Sequence, residues 1–285
     1  MSSGPGTDAV NAVDEVAPHE FGFDLGANHT VIRHLHRGAD TDVYETWSLD
    51  RLCNCVVKVL RPAKVGHPRS EERVALEGER LRALSHPHIV RCYGSIPGDV
   101  PAIVLERVRG TTAHLVVHGL GTLVPWTDII TWGVQLGGAL HHMHGMGFLH
   151  LDLKPGNVMI DQQHATLIDL HVARPPGPCP AGMGSRGYAS PEQLRGEDVG
   201  PAADVWGLGM VLYELATGRP AYDVAGMETF TPDDDWVAPQ LERRPAATAT
   251  YRSLPARLGD LIDASLELDP ANRPDLITVI STLLS

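Results

Sequence analysis

Acidic, basic and amide side chains lie at short, fixed offsets near the middle of the chain. Asp152 and Lys154 are two residues apart, and Asn157 follows three residues after Lys154. Pro155-Gly156 between them favours a loop. Asp169 ends the second of two short apolar runs that follow this loop. Two carboxylates and one amide at strand ends suit binding Mg²⁺ and orienting a hydroxyl near a phosphate.

The segment from His150 to Asn157, together with Asp169, resembles the catalytic loop and metal-binding aspartate of eukaryotic-like, bacterial-type Ser/Thr protein kinases. An isolated H-x-D sequence is ordinarily a loop cap, but here five residues agree in order and spacing. The resemblance implies that Asp152 accepts or orients the substrate hydroxyl proton and that Lys154 offsets charge on the γ-phosphate. It also implies that Asn157 and Asp169 hold Mg²⁺ between the phosphates of ATP.

Two residues near this loop depart from the family pattern. Leu151 stands where an arginine usually follows the histidine. This predicts a kinase of the non-RD type, whose activity does not depend on phosphorylation of its activation segment. Asp169-Leu170-His171 stands where Asp-Phe-Gly is usual. Leu170 retains an apolar anchor. His171 restricts the backbone more than glycine would, and this could hold the loop that carries Asp169 either inside or outside the site.

Three motifs towards the C-terminus extend the resemblance. Residues 184–192 resemble the end of a kinase activation segment, with Ser185 at the position whose hydroxyl contacts the catalytic aspartate and lysine. Small-molecule kinases of related fold lack this segment. Asp204 begins a run that resembles the helix whose aspartate braces the catalytic loop. Arg273 lies in a closing motif whose arginine pairs with the glutamate at Glu192.

The N-terminal part contains the expected lysine and glutamate. Lys58 lies inside a β-branched run, which alone favours an exposed strand face, but it matches the lysine that reaches the α- and β-phosphates. A helix is predicted from about 70 to 85, with Ser70 as its N-cap. Glu77 stands where the family's helix glutamate pairs with Lys58. Glu79 is a rival, and both could instead be solvated helix charges.

A turn-prone stretch between two predicted strands stands at the place of the glycine-rich loop, G-x-G-x-x-G-x-V. Aligning the pattern on Val43 puts Gly38 at the second glycine, with His36 and Thr41 at the first and third. Glycines let the backbone approach the phosphates closely. Gly38 supplies this at one point, whereas His36 and Thr41 add bulk. On its own the stretch could equally be a hairpin turn.

A strand predicted over 102–105 resembles the approach to the hinge between kinase lobes. Leu105 then occupies the gatekeeper position, and backbone groups from Glu106 to Val108 bond the adenine edge of ATP. The alternative is an ordinary exit from a strand into a loop. The fit of the neighbouring motifs favours the hinge.

Composition limits the classes of partner. The formal net charge of −12 argues against nucleic acid or an anionic membrane surface as a partner. The N-terminal residues lack the basic and apolar regions of a signal peptide. No run approaches the roughly 20 apolar residues of a membrane span. The prediction is a cytoplasmic protein.

Two clusters could bind metal but have simpler interpretations. Cys53-Asn54-Cys55 could be half of a zinc site, yet no second pair follows at a zinc-ribbon spacing, which favours reduced thiols. His141, His142 and His144 lie at the end of a helix predicted over 127–144. A helix C-terminus also favours imidazole, so metal is not required there.

These motifs predict an α+β protein with a bilobal protein kinase-like fold. A small β-rich N-lobe with one helix (the αC helix of the family) would span 28–108, and a large helical C-lobe 109–285. Residues 1–22 are predicted to be a mobile leader, and 221–252 an irregular, acidic insertion. ATP is expected in the cleft.

The resemblance implies Mg²⁺-dependent transfer of the γ-phosphoryl of ATP to Ser or Thr of a protein substrate. Two alternatives stay open. The first is a pseudokinase or scaffold that binds nucleotide or a partner without turnover, which the glycine-poor loop and His171 would favour. The second is a small-molecule phosphotransferase of the aminoglycoside or choline type, which shares the H-x-D-x-x-x-x-N loop.

Overall fold

The computed structural model describes residues 16–98, 100–119, 121–222 and 238–285 of the chain. Two compact units are distinguished by their internal contacts. One falls within Met1–Ser85 and Val90–Arg107, and the other within His86–Ile89 and Val108–Ser285. Residues 1–15 of the predicted leader lie outside the described residues, as do residues 223–237 of the predicted acidic insertion.

The first unit is an antiparallel five-stranded sheet with a helix. In chain order its elements are β1 (His29–Arg37), β2 (Thr41–Ser48), β3 (Cys53–Leu60), α1 (Pro68–Ala83), β4 (Cys92–Ile96) and β5 (Ala102–Glu106). The strands are ordered β1-β2-β3-β5-β4. Along β3, Cys55 and Val57 are fully buried two residues apart. This is the spacing of a strand that faces the core on one side.

Helix α1 begins at Pro68, two residues before the predicted N-cap. Proline is favoured at the first helical position because its missing N–H would have had no helical partner there. Ser70 is therefore inside the first turn, where its Oγ donates a hydrogen bond to Asp40 at 2.9 Å. The prediction that Ser70 caps the helix was wrong, and His67 occupies the N-cap position.

The segment before β1 has defined partners in this unit. The backbone N–H of His19 donates to the Tyr44 hydroxyl at 3.1 Å, and its ring stacks on Phe23 with centroids 3.7 Å apart. The Arg37 guanidinium donates to the carbonyl of Val16 at 2.9 Å. The contacts of His19 with Tyr44 and of Arg37 with Val16 join residues 25 and 21 positions apart, and a leader without apolar periodicity gives no means of predicting them.

The second unit is mainly helical. In chain order its elements are β6 (Thr111–Thr112), α2 (Ala113–Gly119), α3 (Trp126–Gly145), β7 (Val158–Asp161), β8 (His164–Leu167), β9 (Gly177–Pro178), α4 (Pro191–Arg195), β10 (Asp198–Val199), α5 (Pro201–Thr217), α6 (Ala256–Ser265) and α7 (Leu276–Leu284). The short strands form a β6-β7-β8 sheet and a β9-β10 pair. None of the helices in the described part combines the length and apolar character needed to cross a bilayer.

Helix α5 forms the centre of this unit. Every residue from 203 to 217 is buried, which is typical of a helix inside a core rather than on a surface. A Cβ on Gly207 would lie 3.0 Å from the Cβ of Leu153, so the absence of a side chain there lets the predicted catalytic loop approach the helix closely. Pro201 opens the helix, and Gly218 ends it with a left-handed φ of 71°. Asp204 is thereby held in the first turn.

The segment His86-Pro87-His88-Ile89-Val90, which follows α1, does not form a strand. Ile89 makes a single bridge to Leu167, and the next strand, β4, begins at Cys92. Pro87 is part of the reason, because it has no backbone N–H to donate to a neighbouring strand.

Candidate active site

The predicted catalytic loop is attached to α5 through Asp204. Asp204 accepts the N–H of His150 on Oδ2 and that of Leu151 on Oδ1, each at 2.8 Å. Leu151 has a left-handed φ of 62°, which costs a non-glycine residue roughly 1–3 kcal/mol. Burial opposes ionisation of Asp204, but the bonds from His144 and the loop N–H groups lower its pKa overall. An ionised Asp204 therefore holds the loop backbone in this conformation.

His144 provides a third contact to the same carboxylate. Its Nε2 lies 2.7 Å from Oδ2 of Asp204, and its side chain is largely buried. The sequence indicated only that His144 belongs to a cluster at a helix end, and its positioning contact was missed. The partner lies 60 residues further along the chain, and no local pattern joins the two.

Asp152 is enclosed by the residues expected to act with it. Its Oδ1 accepts the N–H of Ser185 at 2.7 Å, and its Oδ2 accepts Nδ2 of Asn157 at 3.0 Å. The Lys154 ammonium lies 3.2 Å from Oδ2 of Asp152 and donates to Oγ of Ser185 at 2.5 Å. The structure thus brings together four of the predicted site residues in one hydrogen-bonded group.

Asn157 is oriented by two hydrogen bonds from the same atom. Its Nδ2 donates to the backbone carbonyl and to the carboxylate of Asp152, at 2.9 and 3.0 Å. The carbonyl Oδ1 is therefore the atom suited to a cation. The N–H of Ile168 donates to the carbonyl of Asn157 at 3.1 Å, which ties the segment before Asp169 to this loop. Two oxygen donors on connected segments fit the ligand preference of Mg²⁺.

His171 contacts the aspartate two residues before it. Its Nδ1 and backbone N–H lie 3.0 and 3.2 Å from Oδ1 of Asp169. Leu170 between them is fully buried, as expected of an apolar anchor. One carboxylate oxygen of Asp169 therefore has a histidine partner within the same short segment.

Lys58 and Glu77 form a buried ion pair in the first unit. The Lys58 ammonium lies 3.0 and 2.8 Å from the two carboxylate oxygens of Glu77. The rival Glu79 is exposed. A Cβ on Gly78 would lie 2.7 Å from Cγ2 of Ile103 on β5, so this glycine lets α1 pack closely against the sheet. That close approach places Glu77 beside Lys58.

The stretch at the place of the glycine-rich loop is a tight hairpin turn. The N–H of Gly38 donates to the carbonyl of Thr41 at 2.8 Å, and His36 pairs with Val43 in the β1–β2 ladder. Asp40 at the tip accepts hydrogen bonds from side chains of α1, including Oγ of Ser70 at 2.9 Å. The backbone at Gly38 was expected to approach phosphate, and its N–H is used within the turn.

The predicted hinge residues fall at the end of the first unit. Leu105 is buried and pairs with Val56 across β3 and β5. The N–H of Glu106 donates to the carbonyl of Arg91 at 2.9 Å, so this donor has a protein partner. Val108 begins the longer segment of the second unit.

The end of the activation-segment motif is anchored inside the second unit. Arg273 pairs with Glu192 through two bonds of 2.6 and 2.9 Å, both side chains being buried. Gln193 donates through Nε2 to the carbonyl of Leu151 at 2.8 Å, which links α4 directly to the catalytic loop. The Gln193 contact was missed, because the resemblance names the glutamate before it and not this residue.

Comparison with known proteins shows the family to which this chain belongs. The sequence profile of the protein kinase domain matches residues 29–283, nearly the whole chain. The chain belongs to the protein kinase domain family. The predicted family and the α+β kinase fold are therefore confirmed.

The relatives of this kinase domain include bacterial Ser/Thr kinases. Serine/threonine-protein kinase PknB of Mycolicibacterium smegmatis is 38% identical over 181 residues, covering 58% of this chain and 28% of that protein. PknB of Mycobacterium leprae is 36% identical over 180 residues, with the same coverage. The chain thus spans little more than a quarter of these relatives. A crystal structure of the Mycobacterium tuberculosis PknI kinase domain is 24% identical in sequence, with a TM-score of 0.73. The match covers 93% of this chain and 98% of the PknI chain, and it supports the fold alone.

The cysteine pair of the kinase domain lacks the features of a metal site. Cys53 and Cys55 lie on β3, and burial, with the neighbouring Cys53, raises the pKa of Cys55 to about 11. A raised pKa disfavours the thiolate that metals bind. Among the described residues, neither this pair nor His141, His142 and His144 forms a three-ligand cluster.

Four histidines of the second unit lie in a row outside the candidate active site. Ring centroids of His86 lie 5.4 Å from His142 and 5.6 Å from His88, and His88 lies 4.6 Å from His164. Burial, with the neighbouring histidines, lowers the pKa of His86 below its ordinary 6.5. Burial lowers that of His88 too, although its bond to the carbonyl of Ala165 opposes the shift. Both rings are therefore neutral in the folded state near neutral pH.

This row predicts a loss of stability in mild acid. Below about pH 6.5 the histidines of the unfolded chain bind protons, whereas His86 and His88 in the folded chain do not. The free energy of unfolding therefore decreases as the pH is lowered, until the pH passes below their lowered folded-state pKa values. Urea unfolding at a series of pH values measures the slope. In the double variant His86→Gln/His88→Gln this slope should be shallower, whereas replacing the exposed His67 by Gln should leave it unchanged. An unaltered slope in the double variant would contradict the assignment.

Proposed function

We propose that this chain is an ATP- and Mg²⁺-dependent Ser/Thr protein kinase. The observation that carries the proposal is the hydrogen-bonded group around Asp152, which contacts Ser185, Asn157 and Lys154 at 2.7, 3.0 and 3.2 Å. The PknB relatives, named as Ser/Thr protein kinases, support the same activity. The reaction is transfer of the γ-phosphoryl group from ATP to the hydroxyl of a Ser or Thr in a protein.

Asp152 is assigned to the substrate hydroxyl. Its carboxylate is oriented by the Ser185 N–H on one oxygen and by Asn157 on the other, so little reorganisation is needed when it accepts the proton. Lys154, 3.2 Å from the same carboxylate, offsets negative charge on the transferred phosphoryl group. Ser185 holds Lys154 through its hydroxyl.

Asn157 and Asp169 are assigned as the ligands of Mg²⁺. Their oxygen donors and the bond joining Ile168 to Asn157 support this assignment. When bound, Mg²⁺ supplies charge neutralisation to the phosphates. His171 contacts Oδ1 of Asp169, and the Asp169 carboxylate is assigned to the ion.

Lys58 is assigned to the α- and β-phosphates of ATP, with Glu77 positioning it. The two bonds of 2.8 and 3.0 Å hold the ammonium in one orientation, and burial of the pair limits screening by water. Leu105 and the backbone from Glu106 to Val108, apart from the Glu106 N–H bonded to Arg91, are assigned to the adenine. His36, Gly38 and Val43 are assigned to the loop over the phosphates.

A protein acceptor is favoured over a small molecule by the activation-segment motif. This segment joins the catalytic residues through Ser185, and its far end is anchored by Glu192 and Arg273. The resemblance indicates that small-molecule kinases of related fold lack the segment.

Ser185→Ala is expected to lower the transfer rate about 10-fold. The change removes the hydroxyl that accepts the Lys154 ammonium at 2.5 Å, and a hydrogen bond to a charged group contributes about 1.5–3 kcal/mol before the partial exposure of Lys154 reduces it. Steady-state transfer to a generic acceptor protein measures the rate. Ser185→Thr keeps the hydroxyl and should retain most of the activity.

Phosphatase treatment of the purified chain is expected to leave activity unchanged. Leu151 occupies the position of the arginine that meets a phosphorylated activation segment in many kinases, and its backbone is held by Asp204 instead. A large loss of activity after phosphatase would contradict the non-RD assignment.

A nucleotide-binding pseudokinase is the second candidate, favoured by the turn around Gly38. The N–H of Gly38 is bonded to Thr41 at 2.8 Å, and the Arg61 side chain contacts the carbonyls of Gly38 and Ala39 at 3.3 and 3.4 Å. A turn held in this way has less freedom to close over phosphates than a glycine-rich loop.

The acceptor of the label separates the candidate functions. The purified chain is incubated with γ-labelled ATP and Mg²⁺, with a generic acceptor protein in one arm and aminoglycosides or choline in another. The proposal expects labelled protein. Nucleotide binding without transfer in either arm would favour the pseudokinase. Label on the sugar or amine alone would favour a small-molecule phosphotransferase, and absence of nucleotide binding with Mg²⁺ would exclude both enzymes.

A further inference from the structure

Two histidines and a glutamate meet outside the candidate active site. His114 and His118 lie one turn apart on α2, and Glu214 lies on α5. The Nε2 of His118 is 2.9 Å from Oε1 of Glu214, and the Nδ1 of His114 is 3.9 Å from the same oxygen. One ligand atom from each residue lies within 4.8 Å of the other two. No step of the proposed phosphoryl transfer uses these side chains.

The spacing of the three atoms fits one small cation. Zinc binds nitrogen and carboxylate oxygen at about 2.0–2.2 Å in tetrahedral geometry, so neighbouring ligand atoms lie roughly 3.3–3.5 Å apart. The distances of 2.9 and 3.9 Å from Oε1 of Glu214 lie on either side of that value. Shifts of about half an ångström would bring each nitrogen to the zinc spacing from Oε1 of Glu214. His114 and His118 are 55% and 36% exposed and can make such shifts, whereas Glu214 is only 1% exposed and fixes the position.

The carboxylate is oriented by a further hydrogen bond. The hydroxyl of Tyr188 donates to Oε2 of Glu214 at 2.8 Å, which leaves Oε1 turned towards the histidines. A hydrogen-bonded partner of this kind around a metal ligand typically strengthens binding by 10–100-fold.

The donor set selects the kind of metal. Imidazole nitrogens suit zinc and other late transition metals, whereas Mg²⁺ prefers oxygen ligands and retains water. We propose that His114, His118 and Glu214 form a zinc-binding site, with water in the fourth position. The site joins α2 to α5 and, through Tyr188, to the activation-segment motif.

Zinc binding is measured by equilibrium dialysis of the full chain in excess Mg²⁺, without nucleotide. The wild-type chain should bind one more zinc ion than His114→Ala/His118→Ala. Each single substitution should weaken binding at this site by at least about 100-fold, because it removes a ligand rather than a supporting contact. Zinc should also raise the melting temperature of the wild-type chain and not that of the double variant.

Matched variants keep the result interpretable. His141→Ala removes another exposed histidine of the second unit and should leave stoichiometry and affinity unchanged. Glu214→Gln keeps an acceptor for Tyr188 but should lose the site. If the double variant fails to fold, His114→Gln, at a half-exposed position, provides the test. Equal zinc stoichiometry and affinity in the wild-type and variant chains would overturn the proposal. Because the measurement uses no ATP and no acceptor, its outcome is independent of kinase activity.

Discussion

Asp152→Asn is expected to lower phosphoryl transfer by about 10²- to 10⁴-fold, the usual contribution of a general base. The amide cannot accept the hydroxyl proton. The two carboxylate oxygens of Asp152 now accept the Ser185 N–H at 2.7 Å and Nδ2 of Asn157 at 3.0 Å. In the variant one of these oxygens is replaced by an N–H₂ group, which cannot accept either hydrogen bond. The transfer rate should therefore fall, while ATP binding, which is assigned to other residues, should persist. Single-turnover transfer and nucleotide titration on the same preparation measure the two effects.

The matched control is Asp198→Asn, because Asp198 is an exposed carboxylate outside the site. It should transfer phosphate at the wild-type rate. Melting curves of both variants establish that the loss at Asp152 is not unfolding. Wild-type rates in the Asp152→Asn chain would contradict the assigned role.

Arg273→Ala is expected to lower the free energy of unfolding by about 3–5 kcal/mol, because it leaves the Glu192 carboxylate buried without its cation. Within the pair, the exposed fractions of the Arg273 and Glu192 side chains are 0% and 3%. Arg273 also donates to the backbone carbonyls of Glu267, Ala202 and Leu268, which lose this donor as well. Urea unfolding measures the loss.

Two comparisons distinguish this buried pair from an ordinary surface contact. Arg244→Ala removes a partly exposed ion pair with Glu267 and should cost only about 0–1 kcal/mol. The double change Glu192→Leu/Arg273→Met removes both charges and should recover part of the loss. A cost below about 1 kcal/mol for Arg273→Ala would show that the pair does not anchor the segment.

The catalytic loop and the long helices could be predicted because their signals are local. His150 to Asn157 form a dense motif. Pro201 and Gly218 are strong boundary signals in the sequence, and α5 begins at Pro201 and is capped by Gly218. Boundaries without such signals were less accurate. Helix α1 was predicted to begin at about Ser70, but it begins at Pro68, which is also a favoured first residue of a helix.

Contacts between distant residues could not be predicted from spacing. His144 meets Asp204 over 60 residues, and Tyr188 meets Glu214 over 26. Such pairs depend on how α3 and the activation-segment motif pack on α5. The resemblance supplied long-range pairs such as Arg273 with Glu192, Lys58 with Glu77 and Lys154 with Ser185, because family motifs mark both residues of each pair.

The stretch around Gly38 was ambiguous for a different reason. Its sequence suits a glycine-rich loop and a hairpin equally, and the hydrogen bond from Gly38 to Thr41 that closes the turn joins backbone groups. Side-chain types at His36 and Thr41 do not determine that bond. Ser70 on α1 also holds the turn, through its hydrogen bond to Asp40, and it lies 30 residues further along the chain.

Identification of the phosphorylated residue tests the central claim most directly. An acceptor protein is incubated with ATP, Mg²⁺ and either the wild-type chain or Asp152→Asn, and its phosphorylation sites are then determined by mass spectrometry. The account predicts phosphoserine or phosphothreonine with the wild-type chain and a 10²- to 10⁴-fold lower yield with the variant. Equal phosphorylation by both chains, or bound nucleotide without any phosphorylation by the wild-type chain, would contradict it.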